Sequence, residues 1–440
     1  MGVGTAGVSS YFYTGVSGGD VSLPIGLSVP YPSLDLNFQS MTTLDSRITF
    51  SRASSATYFD SSGVLQTAAS GVARFDHNPT TLARLGLLIE EQRTNSIRNN
   101  TMQGAVAGTP GTAPTNWTMV STLSGLTREI VSIGVENGIN YIDVKWSGTT
   151  SAAVSSAILA QAESNAAVAA SVGQSWSGSW YLRLVGGSVT GISALNIQLT
   201  ERNSAGALLV AQSIGVLSSV NSNGLATQRY TISRTLTDAT VAQLGCEVRL
   251  SIPISTAVNF TLRIGLPQLE QGAFATSVIP TTTAAATRNA DAASMTGTNF
   301  SSWYSSTQGA LYGEYSAVTS GIRTICAIND STANESIRLR TDGTNPLFTI
   351  TDGGSDQANI DAGTVASNTF YKFTGAFAVN DFAASISGGA VVTDTSGTLP
   401  TVTQLLIGNS SSSNYLNGTI RKIAFYPTRL SNAQLQALTR

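Results

Sequence analysis

The sequence predicts an all-β chain: antiparallel β-sandwiches (jelly rolls) in tandem, preceded by an extended N-terminal arm. Composition is the first observation behind this. The 440 residues are 42% hydrophobic yet only 11% charged, with 42 glycines and abundant Ser, Thr, Ala and Asn. Long solvated helices need Lys and Glu on their exposed faces, and these are scarce. Period-2 alternation is the second. Ile197 and Leu199 alternate with Asn196, Gln198 and Thr200, as Val248, Leu250, Ile252 and Ile254 do with their neighbours. Such alternation buries one face of a strand and solvates the other. Third, turn pairs recur at Asp342-Gly343, Asp352-Gly353, Gly388-Gly389 and Asn417-Gly418, close to the spacing of a sandwich.

Residues 1–40 read as an arm, because Gly, Ser and Pro24, Pro30 and Pro32 cannot sustain a ladder. A small β module is expected over 41–95, with a hairpin turning at Asp60 to Gly63 and a buried strand in LGLLIEEQ. A jelly roll follows over 96–290, with a short Ala-rich helix expected in the second half of 158–173. The Thr/Ala-rich stretch 277–294 lacks periodicity and reads as a linker. A last sandwich over 291–440 is expected to fold by itself. It closes with a helix that Ser431 caps and Gln434 reaches back to, while Leu435 and Leu438 face the sheet.

Charge and cysteine exclude several classes. A net charge of −2 without any basic run gives nucleic acid no footprint. Cys246 and Cys326 lack metal-site spacing and read as buried thiols. No stretch of eighteen apolar residues is present, and MGVGTAGVSSYFYTG has neither region of a signal peptide. The expectation is a protein made in the host cytoplasm without export or membrane insertion.

Four segments in order, GALYGEYSA (309–317), TFYKFTGAFAVNDFAASISGG (369–389), LLIGN (405–409) and YLNGTIRKIAFYPTRLSNAQLQALT (415–439), resemble the laminin G-like branch of the concanavalin A-like lectins/glucanases. The segment 48–95 is similar to a module of bacteriophage tail and fibre proteins. RIGLPQLEQGAFATSVIPTTTAAATRNAD (263–291) resembles the end of a carbohydrate-binding-like jelly roll that often follows that module. The resemblance implies a virion surface protein, a tail fibre or receptor-binding subunit. Its partners would be other virion proteins through the arm and host cell-surface polysaccharide, commonly as a homotrimer. Calcium, which orders loops in laminin G-like domains, has no clean set of aspartates here.

Enzyme motifs do not survive their context. G-x-G-x-x-G at 2–7 has no preceding strand, and G-x-S-x-G at 15–19 has no general-base histidine in an α/β setting. The single histidine, His77, reads as a turn residue between Asp76 and Asn78. Glu90 and Glu91 point to opposite faces of a strand, and one is expected to bond Arg93 or a neighbouring chain. Glu314 and Glu335 lie on different segments, so the last sandwich has no carboxylate pair for hydrolysis.

Sugar binding calls for an aromatic ring to stack on the pyranose and polar groups for its hydroxyls. Candidates are Trp303, Tyr304, Asp352, Asp356, Asn409, Asn414 and Tyr415 in the last sandwich. In the jelly roll they are Trp176 and Trp180, which share one strand face. The function expected is non-enzymatic attachment to host glycans. The alternatives are a decoration protein that stabilises the particle or gives weak adsorption, and a capsule-degrading enzyme, for which no repeat is present.

Overall fold

A computed structural model describes residues 27–163, 168–411 and 413–440, and the fold is all-β with two sandwiches. Both ends of the chain build the first, the outer sandwich. Its eight-stranded sheet runs Val392–Asp394, Asp381–Ile386, Tyr371–Ala378, Gln308–Ala317, Gly418–Tyr426, Arg84–Ile89, Phe75–His77, with Leu34–Asn37 also on Gly418–Tyr426. The seven-stranded sheet facing it joins Thr49–Ser51 to Ala292–Thr296 and then to five strands between 322 and 407. The second sandwich is inserted into the first. Its six-stranded and four-stranded sheets lie wholly within 122–271.

The insertion leaves and returns through one antiparallel pair, with Asn95 opposite Ala286 and Arg93 opposite Arg288. Residues 34–38 therefore belong to the outer sandwich and not to the arm. Leu34, Leu36 and Phe38 are buried while Asp35 is exposed, and Leu36 pairs with Ile423. The strands of 41–95 likewise form no module of their own. Gly86 permits the closest approach: at φ 110° a Cβ would run into the Ile420 carbonyl oxygen. Alternation says which residues face a core but not whose core it is, so this pairing was invisible to periodicity.

Two other expectations are corrected. The stretch 277–294 is no free linker, because Val278, Ile279, Thr281, Arg288 and Asp291 are buried and only 282–285 form an exposed run. No helix forms over the described part of 166–173. Val168 and Ala170 pair with Leu244 and Ala242 as extended chain. Tyr11, Phe12, Tyr13 and both glycine motifs lie outside the described residues. The closing helix Asn432–Leu438 has its capping box, with the Gln434 amide bonded to Ser431 Oγ at 3.4 Å and Ser431 N donating to Gln434 Oε1 at 2.8 Å. Its Leu435 seals Tyr312 and Tyr426 on the outer side of the eight-stranded sheet.

Each sandwich has its own apolar core, around Phe348, Phe373 and Phe377 in the outer one and Trp146, Trp180 and Phe260 in the inserted one. A third cluster joins them. Leu65 and Phe59, from the hairpin Ala56–Phe59 and Leu65–Ala68, pack on Ile139, Tyr141, Tyr181, Leu225 and Leu266 of the insertion.

Beside this joint lies a buried ion cluster. Asp291 holds Arg52 at 3.0 Å and Arg74 at 2.6 Å, and accepts the Glu90 amide at 2.9 Å. Glu90 holds Arg74 at 2.8 Å and Arg288 at 3.0 Å and accepts both polar hydrogens of Ser277. Burial alone would raise the Glu90 carboxyl, but Arg288 and Arg74 more than offset it and hold it down at about 2. Asp76 accepts the Phe59 amide at 2.7 Å, yet burial outweighs that bond and the nearby Arg74 and pushes its carboxyl up to about 6.

Two outcomes are expected. Isolated 291–440 lacks strands from both sheets and should show no cooperative melt, whereas co-expressed 27–95 and 286–440 should restore one. A cooperative transition in 291–440 alone would contradict the shared sandwich. The second concerns pH. Asp76 titrates near 6 when folded and near 4 when unfolded, so its contribution to stability falls as pH rises from about 4 to 6. Asp76→Asn keeps an acceptor for Phe59 and should gain roughly 3 kcal/mol on wild type between pH 4 and pH 7 in urea unfolding. A pH-independent difference would remove the assignment.

Candidate functional site

Where the insertion leaves the outer sandwich, Glu91, Gln92, Arg93, Thr94 and Ser96 face Ser175 and Trp176 and the chain at Gln271 and Gly272. Together they enclose a cleft of about 520 Å³. The sheet register sets this up, since Trp176 lies opposite Gln271 on the strand Ala257–Gln271. Gln92, Thr94 and Gln271 are exposed, so the cleft offers hydroxyls and amides to solvent. Trp176 is a buried wall whose indole N–H donates to Gln174 at 3.1 Å.

Arg93 is among the lining residues, and Arg323 joins it from outside the lining. Arg93 donates to the Gln271 carbonyl, pairs with Glu91 at 2.5 Å and lies 4.7 Å over the Phe274 ring. This fixes the neighbouring residue as glycine, because any Cβ at Gly272, φ 144°, would collide with the Arg93 guanidinium. Arg323 lies over the same ring at 5.0 Å and reaches Glu91 at 3.7 Å and the Tyr415 carbonyl at 3.4 Å. Burial pulls the Arg323 guanidinium below its ordinary value, and Arg93 adds to that, against the pull of Glu91. Asn417 clasps Glu91, accepting its amide at 2.9 Å and donating to its carboxylate at 3.0 Å.

The residues singled out from sequence fall into three places. Trp176 lines the cleft, whereas Asn414 and Tyr415 lie outside its lining, the Tyr415 carbonyl accepting from Arg323 and Asn417 and the Asn414 carbonyl from the Thr324 amide. Tyr415 is half-buried, and burial with the charges of Asp291 and Glu91 raises its phenol. Others are core. Trp303 is 4% exposed, edge-on to Phe300 at 5.0 Å and Phe425 at 5.2 Å, with its N–H on the Asn299 carbonyl. Tyr304 stacks on Phe300 at 4.8 Å. Trp180 is fully buried with its N–H on Cys246 Sγ, and Asn409 is buried too. Trp303, Trp180 and Trp176 are each 5% exposed or less, so none presents an open face to a sugar, because hydrophobic burial has claimed all three rings.

Asp352 and Asp356 flank the Gly353-Gly354 turn, far along the seven-stranded sheet. Asp352 accepts from Thr398, and Asp356 from Thr351 at 3.1 Å. Among the described residues no group of three His, Cys, Asp or Glu side chains is placed to hold a metal ion. Nor is any helix among those residues long and apolar enough to cross a membrane.

Sequence reasoning missed Gln92, Thr94, Ser96, Gln271, Phe274 and Arg323. That Glu90 or Glu91 would bond Arg93 was expected, and the structure gives the pair to Glu91, but nothing linked EQRTNS to QLEQGAF across an insertion of nearly two hundred residues.

No sequence-family profile matches the chain, and no curated protein sequence matches it. Solved structures that resemble it include the CBM40 of the Ruminococcus gnavus IT-sialidase bound to α2,3-sialyllactose. That match is 13% identical, covers 31% of this chain and 84% of that one, and has a TM-score of 0.28. A botulinum neurotoxin type C structure, whose cell entry depends on two ganglioside molecules, is 12% identical over 34% of this chain and 39% of its own, TM-score 0.28. The Trypanosoma rangeli sialidase in complex with the inhibitor DANA is 14% identical over 33% and 25%, TM-score 0.25. These neighbours, several of them carbohydrate-binding, match about a third of the chain and identify no family for it.

Proposed function

We propose that this chain is a bacteriophage virion surface subunit that attaches to host-cell glycan through the cleft between its sandwiches and does not cleave it. One observation carries the reading: the cleft brings Gln92, Thr94, Ser96, Ser175 and Gln271 around one volume beside an indole. Hydroxyls and amides suit the hydroxyls of a sugar, and the volume is in the range of small-ligand sites. The virion role rests on the resemblance of 48–95 and 263–291 to tail-fibre segments. So does a trimeric state, in which weak single-site binding multiplies by avidity.

The charges present support attachment without hydrolysis. Glu91 is the cleft's one carboxylate, and it is committed to Arg93 and Arg323. Most glycosidases use two carboxyl groups flanking the bond.

The test is retention of the intact chain on host surface polysaccharide, with reducing ends followed in parallel. Thr94→Trp, at an exposed lining position, should fill the cleft, leave the melting temperature unchanged and lower retention at least tenfold. Reducing ends should stay at the blank. Undiminished retention by Thr94→Trp would remove the site, and rising reducing ends would make the protein an enzyme.

A further inference from the structure

The base of the cleft is short of negative charge. Arg93 lines it and Arg323 joins Arg93 on Glu91 from outside the lining; both are more than nine-tenths buried, and among the described residues the one carboxylate within ion-pair distance of either is Glu91. That carboxylate is 2.5 Å from Arg93 but 3.7 Å from Arg323, and it also accepts from Asn417. Deeper in the seam, Glu90 and Asp291 are taken by Arg52, Arg74 and Arg288, so they do not serve Arg323. The Nε atoms of both Arg93 and Arg323 are buried without a hydrogen-bond partner. A buried guanidinium that lacks a full partner is costly, and its fork of donors matches a carboxylate.

From this, and resting on the glycan reading above, we infer that the cleft selects an acidic polysaccharide whose sugars carry carboxylates. A sugar carboxylate at the Glu91 end would supply the second negative charge that the two arginines lack. The ring would lie along Thr94, Ser175 and Gln271. A neutral glycan of the same backbone fills the same volume and leaves Arg323 as it is.

Polygalacturonate and its fully methyl-esterified form share a backbone and differ in that charge. The intact chain should be retained at least tenfold more strongly on the acid at low salt, and 0.5 M NaCl should erase most of the difference. Arg323→Gln should bring the acid-to-ester ratio close to one. Gln92→Glu, at an exposed position where folding is not at stake, should lower the acid-to-ester ratio. Equal retention of acid and ester by wild type overturns the inference, as does a ratio that survives both substitutions. Retention of neither polymer also overturns the carboxylate preference, while glycan attachment as such stands or falls by the host-polysaccharide assay.

Discussion

Everything in this molecule depends on Asp291 meeting Arg52 and Arg74. The outer sandwich is made from two stretches of chain separated by a whole inserted domain, and these must find each other. Strand pairing does part of that work, but a ladder has no preferred partner beyond its face pattern. The ion cluster is more selective. Arg52, Arg74 and Glu90 come from before the insertion, Arg288 and Asp291 from after it, and Ser277 from its exit. A charge left alone in that place costs about 3–5 kcal/mol, a large part of a domain's 5–15 kcal/mol. Any other register of the two stretches would strand several such charges.

The cleft is a consequence of that closure. Because the insertion leaves and returns side by side, Arg93 stands next to Arg288, and the residues following Glu90 are carried directly onto the wall at Gln271. Glu90 and Glu91 divide the two tasks by pointing to opposite sides of the chain. Glu90 locks the seam, and Glu91 faces the cleft and pairs with Arg93 and Arg323. The site is therefore a product of the joint and belongs to neither sandwich alone.

How much of this the sequence disclosed follows from the range of each signal. Local rules held in part: the hairpin at Asp60 to Gly63 and the Ser431 capping box stand as read, whereas Gln198 and Thr200, on the face read as solvated, are buried, and Ile254, read as inward, is exposed. Domain division did not hold, because Leu34, Leu36 and Leu87 look the same in sequence whether they complete a distant sandwich or a nearby one. Aromatic rings misled for a related reason. A tryptophan in a Ser-rich context looks available, yet Trp303 sits beneath Phe425, where no local pattern could place it. Of the cleft, only Trp176 and the expectation that Glu90 or Glu91 would bond Arg93 were legible.

The most direct measurement is calorimetry of the intact chain against Asp291→Ala. If the buried cluster is what makes two sandwiches one body, wild type unfolds in a single transition. The variant should then lose about 3–5 kcal/mol and split into two, the outer sandwich melting first. A variant that still unfolds in one transition, within about 1 kcal/mol of wild type, would show that the strands and the apolar joint suffice and that the cluster is incidental.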